Sequence, residues 1–242
     1  MVVNDPKVSI GTRALSVSRG GREVLRSVTC EFPPGCTVLM GPNGAGKTTL
    51  FRALLGDMRI NSGSVLRGGR PVASSHDWRV LRGDLGWLPQ SFGAPDRATV
   101  SSIIQYAAWL KRCDVDVERV LSAVGLAGVA RSPFGRLSGG QMRRVGIACA
   151  LVGNPRSILM DEPTVGLDPE QRDDFHRRIR GISTDTSVVI STHLLEDVAA
   201  VAQRLVIIHD GAVRFEGTPA GLTGVSAPEV ADVREGYLRA IA

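Results

Sequence analysis

The 242-residue chain is expected to fold as an α/β protein, with an antiparallel β-subdomain and an inserted α-helical subdomain beside a parallel sheet. Three observations lead there. Short apolar runs at Thr37–Met40, Ser157–Met160, Ser187–Ile190 and Leu205–Ile208 are strand-length and mostly β-branched, which suits strands buried on both faces. Helical spacing at about 169–181 and 194–203 separates the later runs, and strands alternating with helices build parallel sheets. From Thr99 to about Leu151 the spacing is helical throughout, which marks an insertion.

Residues 8–34 read as strands: Leu15 and Val17 alternate with polar neighbours, Gly20-Gly21 turns the chain, and Val24, Val28, Cys30 and Phe32 resume the pattern. Pro33-Pro34-Gly35 ends that segment ahead of Thr37–Met40. Next come Gly41, Pro42, Asn43, Gly44, Ala45, Gly46, Lys47 and Thr48, which satisfy the phosphate-loop formula G-x-x-x-x-G-K-[ST]. Lys47–Leu55 carries helical spacing and stops at Gly56. Strand, glycine loop and helix are the context that the motif requires. The glycines let successive N–H groups turn toward an anion, and the helix N-terminus adds a positive dipole end. Lys47 is placed to reach the β- and γ-phosphates, and Thr48 offers a hydroxyl to Mg²⁺. Of the 29 basic residues only Lys7, Lys47 and Lys111 are lysine, so an arginine-rich chain keeps a compact ammonium at position 47.

Ser64–Arg67 and Pro71–Ala73 flank Gly68-Gly69 as a hairpin, and Leu85–Leu88 is a short strand running into Pro89-Gln90. Thr99 is the expected N-cap of a helix carrying Val100, Ile103, Ile104, Ala107, Ala108 and Leu110. Val117, Val120, Leu121 and Val124 form a second helix, and a third begins near Gly139. Asp210-Gly211 predicts a final hairpin leading to Val213–Phe215. In the tail, Ser226 and Glu229 make a capping box with Pro228 in the first turn. Val230, Val233, Tyr237, Leu238 and Ile241 line one face of that helix, expected to pack on its own domain, with a partner surface as the alternative.

Composition narrows the function. Apolar residues make up 43%, enough for a substantial core. The net charge of +5 is scattered, and with no basic–aromatic recognition motif no nucleic-acid partner is expected. Cys30, Cys36, Cys113 and Cys149 have neither C-x-x-C nor metal-ligand spacing and read as reduced apolar residues. The N-terminus shows no signal-peptide pattern, and no apolar run approaches the ~20 residues that cross a bilayer. If the protein serves a membrane process, another chain supplies the membrane part.

Two further stretches carry chemistry. Ser157–Met160 ends in Asp161-Glu162, carboxylates expected at the edge of the sheet that holds the phosphate loop. Asp161 suits Mg²⁺, and Glu162 suits a base that orients water. Leu137-Ser138-Gly139-Gly140-Gln141 is a second glycine-rich helix start and a second anion site.

These strings, together with LPQ at 88–90, LSGGQMRRVGIA at 137–148, ILMDEPTVGLDP at 158–169 and STH at 191–193, resemble the ATP-binding subunit of an ABC transporter over about residues 8–220. The resemblance implies a P-loop NTPase (RecA-like) core and an ABC ATP-binding domain at 1–220, with the helical subdomain at about 91–150 and a helical tail at 221–242. It implies that Gly41–Thr49 is the Walker A loop, with Thr49 closing it, and Asp161 the Walker B carboxylate. Glu162 would be the catalytic base. Gln90 would sense the γ-phosphate and Mg²⁺, and His193 would hold the γ-phosphate. Asp168 would lie at a dimer seam. Ser138, Gly139, Gly140 and Gln141 would close over ATP on the opposite subunit. The family usually stacks adenine on an aromatic residue where this chain has Arg19; a guanidinium plane can take that role. His76, His176 and His209 match nothing and read as structural or solvated.

LPQSFG and STHLLEDV look most like bacterial two-component exporters of drugs and antibiotics. That implies a homodimer or paralogue dimer, peripheral on the cytoplasmic face of the cell membrane, working with a polytopic permease on a separate chain. The alternative is a soluble ABC ATPase of iron–sulfur assembly or nucleic-acid-associated type. No coiled coil or second cassette supports it.

Overall fold

The computed structural model describes residues 9–242; Val8, where the first strand was expected to begin, lies outside them. Strands β1 (Ile10–Arg19) and β2 (Arg22–Phe32) form the expected antiparallel hairpin, with Arg19 facing Arg22 across Gly20-Gly21. Then follow β3 (Gly35–Met40), helix α1 (Lys47–Leu54), β4 (Ser62–Arg67) and β5 (Arg70–Pro71). The Gly68-Gly69 turn joins β4 to β5, whose pairing ends at Pro71, so the strand expected to Ala73 is shorter. The Val72 N–H still donates to the Val65 carbonyl at 2.9 Å, after which the chain turns into the Ser74 cap of the next helix.

Helix α2 (Ser75–Asp84) was not expected from the spacing. Leu81 is its one buried residue, so its apolar stripe is nearly absent. A capping box between Ser74 and Asp77 starts it instead. Next come β6 (Leu85–Leu88), α3 (Val100–Lys111), α4 (Val117–Ala123), a 3-10 turn at Phe134–Arg136 and α5 (Gly139–Leu151). Thr99 caps α3, Asp116 caps α4 and Ser138 caps α5. The chain continues with β7 (Ser157–Asp161), α6 (Pro169–Ile182), β8 (Ser187–Thr192), α7 (Leu195–Val201), β9 (Arg204–His209), β10 (Ala212–Gly217), α8 (Pro219–Thr223) and α9 (Val230–Ile241).

Two sheets result. The antiparallel one has the order β2-β1-β4-β5. The other runs β10-β9-β3-β8-β7-β6, with β6, β7, β8, β3 and β9 parallel and β10 antiparallel at one edge. Each parallel strand is apolar on both faces because each face meets a different core. Val38, Met40, Ile158, Met160, Val188 and Ile190 pack against the helical segment. Leu39, Leu159, Val189 and Val206 pack against α1 and the antiparallel sheet. The phosphate-loop helix is thus clamped between two sheets, with Leu50, Phe51 and Leu54 fully buried.

The C-terminal segment corrects one expectation. Its helix begins at Val230, capped by a box between Glu229 and Asp232, rather than at Ser226. Starting at Ser226 would put Ala227, the residue before Pro228, into the helical region that a following proline disfavours. Val233 is buried against the main core with Tyr237 and Ile241 packed around it, whereas Val230 and Leu238 stay exposed. The apolar face is therefore narrower than expected.

Candidate active site

Register alone assembles the site. Asp161 and Leu39 are both level with Ser191 of β8. One step further along the parallel strands come Glu162, Thr192 and Met40, and just beyond them His193 and the loop at Gly41. Gln90 follows β6, the neighbour of β7. Residues far apart in the chain thus leave the sheet at one edge, as expected for the carboxyl ends of parallel strands.

The loop is shaped by close backbone approaches. Gly46 sits at φ 108, and a Cβ there would lie 2.6 Å from a methyl of the buried Leu25 side chain of β2, so any other residue would be strained in the backbone and would have to push that side chain aside. Gly46 is also the N-cap of α1, and no side chain caps the first turn, which carries no acidic residue. The first N–H groups of α1 therefore face outward as an anion cradle.

Lys47, 6% exposed, donates to the carbonyls of Gly41 (2.7 Å) and Pro42 (3.2 Å). It also lies 3.1 Å from Oε1 of Glu162. The other carboxylate oxygen of Glu162 meets Nδ1 of His193 at 3.0 Å. Glu162 thus stands between an ammonium and an imidazole and is itself 6% exposed. Its backbone is left-handed, φ 47, a conformation that costs a non-glycine residue about 1–3 kcal/mol. The Glu162 N–H is held at 3.0 Å by both the carbonyl and the hydroxyl of Ser191.

Asp161 is 1% exposed; Oδ2 accepts from the Thr48 hydroxyl at 2.7 Å and Oδ1 from the Ser191 hydroxyl. These hard oxygens at the N-terminus of α1 fit Mg²⁺, which takes one or two protein oxygens and completes its shell with phosphate and water. The described residues contain no group of three His, Cys, Asp or Glu that could hold a metal without a nucleotide.

The remaining expected residues lie around this centre. Gln90 is exposed. Ser138 and Gln141 form a capping box at the start of α5, with Ser138 and Gly139 exposed and Gly140 beside Gln171 of α6. Asp168 is exposed and caps α6 through the Gln171 N–H, 2.8 Å. The structure brings neither Asp168 nor the 138–141 segment into hydrogen bonding with Lys47 or Glu162. A cleft beside the phosphate loop is lined by Arg22, Val24, Arg26, Asn43 and Gly44; Arg19, exposed across the turn from Arg22, lies outside that lining.

Several groups had no motif to announce them. Asp197 of α7 is fully buried and accepts from Thr164 (2.6 Å) and Thr192 (2.8 Å), with Nε2 of His176 at 2.8 Å. It ties the turn after Glu162 to the residue before His193. Arg143 of α5 reaches five backbone carbonyls around the site. Its signal in the sequence was only its place two residues after Gln141.

An ABC transporter family profile matches residues 25–165. The chain is 34% identical to a probable ABC transporter ATP-binding protein of Azorhizobium caulinodans, over 95% of this chain and 83% of that relative. It is 32% identical to Nod factor export ATP-binding protein I of Paraburkholderia xenovorans, over 90% and 73%. It is 34% identical to the zinc import ATP-binding protein ZnuC of Roseobacter denitrificans, over 89% and 80%. In fold it is similar to the solved ATP-binding subunit of an ABC transporter, with a TM-score of 0.80 over 95% of this chain and 99% of that one, at 23% identity. The chain therefore belongs to the ABC transporter family, as an ATP-binding subunit with the ATPase domain of that family.

Proposed function

We propose that the chain binds ATP with Mg²⁺ between two copies of itself, or itself and a paralogue, and that its hydrolysis drives export through a separate membrane permease. The observation that carries the reading is Glu162, held in a left-handed backbone within 3.1 Å of Lys47 and 3.0 Å of His193.

Lys47 and the first N–H groups of α1 bind the phosphates, and Lys47 exchanges its contact with Glu162 for phosphate oxygens. Glu162, freed from the ammonium, accepts a proton from water. His193 holds the terminal phosphate and fixes the carboxylate through Nδ1. Mg²⁺ would be held by Thr48 and Asp161, with Gln90 reaching toward it, and would neutralise charge on the phosphates. Ser138–Gln141 and Asp168, exposed and turned away from their own Lys47, suit contact with nucleotide and backbone across a dimer seam. Arg19 stacks on adenine, with Arg22 and Arg26 lining the neighbouring cleft.

No helix among the described residues is long and apolar enough to cross a membrane, and in the proposed reading a membrane permease docks on this chain. Tyr106, Trp109 and Leu110 are 59–70% exposed on α3, with the two rings stacked at 5.8 Å. They give the helical segment an apolar face for a short permease helix, at the cytoplasmic side of the membrane. Export rests on the likeness of the sequence strings and on the Nod factor relative; the zinc import relative makes direction the part to test first. Transport in vesicles holding this chain together with a candidate permease, measured in both orientations, decides it.

The hydrolytic assignment is tested with Glu162→Gln. ATP should still bind, while turnover falls by at least about 100-fold, as loss of a general base does. Turnover near that of the unaltered protein refutes the role of Glu162.

A further inference from the structure

We propose that Arg143 is a positioning residue that locks the backbone of Glu162 and links it to α5 and Gln90. The proposal rests on the reading of Glu162 as the base.

A guanidinium has five N–H donors in one plane. In Arg143 all five meet backbone carbonyls. Nε donates to Pro163 (3.2 Å). Nη1 donates to Pro89 (3.0 Å) and Gln90 (2.8 Å). Nη2 donates to Asp161 and to Glu162, both at 2.9 Å. The last pair matters most. The Asp161 carbonyl belongs to the peptide preceding Glu162, and the Glu162 carbonyl to the peptide following it. One nitrogen therefore holds the peptide planes on both sides of the residue whose φ is 47. Together with Ser191 on the Glu162 N–H, this over-determines a conformation that the residue would otherwise leave.

The guanidinium is partly buried and forms no ion pair among the described residues. Burial lowers its pKa, and Asp161 and Glu162 act in the opposite direction. Its charge is thus held by carbonyl dipoles, which only a planar fork reaches together. Lysine has three donors on a tetrahedral head and cannot span five acceptors on two segments. Arg143 lies on α5, the helix that Ser138 caps, and β6 and β7 are adjacent strands. Any rotation of α5 against the sheet must move the carbonyls beside Glu162 and Gln90 together. A nucleotide phosphate closing on Ser138 of one subunit would thereby adjust the base on that same subunit.

The test compares Arg143→Lys and Arg143→Gln in the full chain, alone and combined with Glu162→Gln. Alone, each should lower kcat by on the order of 10- to 100-fold, with KM for ATP changed less than about threefold. In the Glu162→Gln background the same substitutions should cost little more, because the group they position is gone. Arg143→Ala should regain part of its kcat with added guanidinium ion and none with methylammonium, which also covers the case where the larger variants fold poorly. Equal losses in both Glu162 backgrounds, or a lysine variant as active as the unaltered protein, overturn the proposal. Unaltered turnover in Glu162→Gln alone overturns the underlying reading instead.

Discussion

Asp197→Ala is the substitution whose cost the structure defines best. Asp197, Thr164 and Thr192 are fully buried and His176 is 4% exposed. The substitution removes the acceptor of two hydroxyls and the partner of one imidazole nitrogen. A buried polar group left without a partner costs about 1–3 kcal/mol. Three such groups give about 3–6 kcal/mol, taking the lower half of the range because removing Asp197 also relieves the desolvation of a carboxylate. That is a large part of the 5–15 kcal/mol of a typical domain, equivalent to a fall in Tm of roughly 6–24 °C at this chain length. Asp197→Asn keeps one acceptor and adds a donor that His176 can accept. It should cost less than half as much. Urea unfolding of the three proteins gives the values. A loss below about 1 kcal/mol in Asp197→Ala, or an asparagine variant as unstable as the alanine one, refutes the reasoning. Because the network joins the turn after Glu162 to Thr192, turnover should fall further than the folded fraction does.

Three other outcomes follow from particular groups. Burial pushes the thiols of Cys30, Cys36 and Cys149 up from 9.0 to about 12. The folded protein keeps these protons after the unfolded chain releases its own, so stability is full below about pH 9 and falls as pH rises toward about 12. Iodoacetamide at pH 8 should label the three residues only once urea is added. Arg19→Ala should weaken ATP binding by a few-fold, matching the loss of a stacked cation of about 0.5–1 kcal/mol, as titration calorimetry would register; unchanged affinity, with Arg22→Ala the weaker binder, moves the base contact to the cleft lining. Trp109→Glu should release the chain from membranes that contain the permease, and retention there discounts the α3 face as the docking surface.

The fold was legible wherever a residue's job was to be buried or to bend the backbone. The parallel strands showed as apolar runs because cores press on both faces, and the phosphate loop showed because its glycines take positive-φ or close-approach positions that glycine suits. Helix α2 was not legible, since with Leu81 as its sole buried residue no periodicity survives. The start of α9 was misread because two overlapping capping patterns share Glu229, and the restriction imposed by Pro228 decides between them. At the site, Lys47, Asp161, Glu162 and His193 were readable from local strings. Arg143 was not, because its partners are carbonyls, which every residue carries and no pattern reports. Asp197 and His176 lie 21 positions apart and meet only through the packing of α6 on α7.

Central to the proposed function is that ATP joins two subunits before Glu162 acts as the base. Analytical ultracentrifugation of Glu162→Gln, with and without ATP and Mg²⁺, measures this directly. The mechanism predicts a monomer without nucleotide and a dimer retaining two ATP with it, dispersed again when Ser138→Arg is added. A species that stays monomeric at every nucleotide concentration contradicts it.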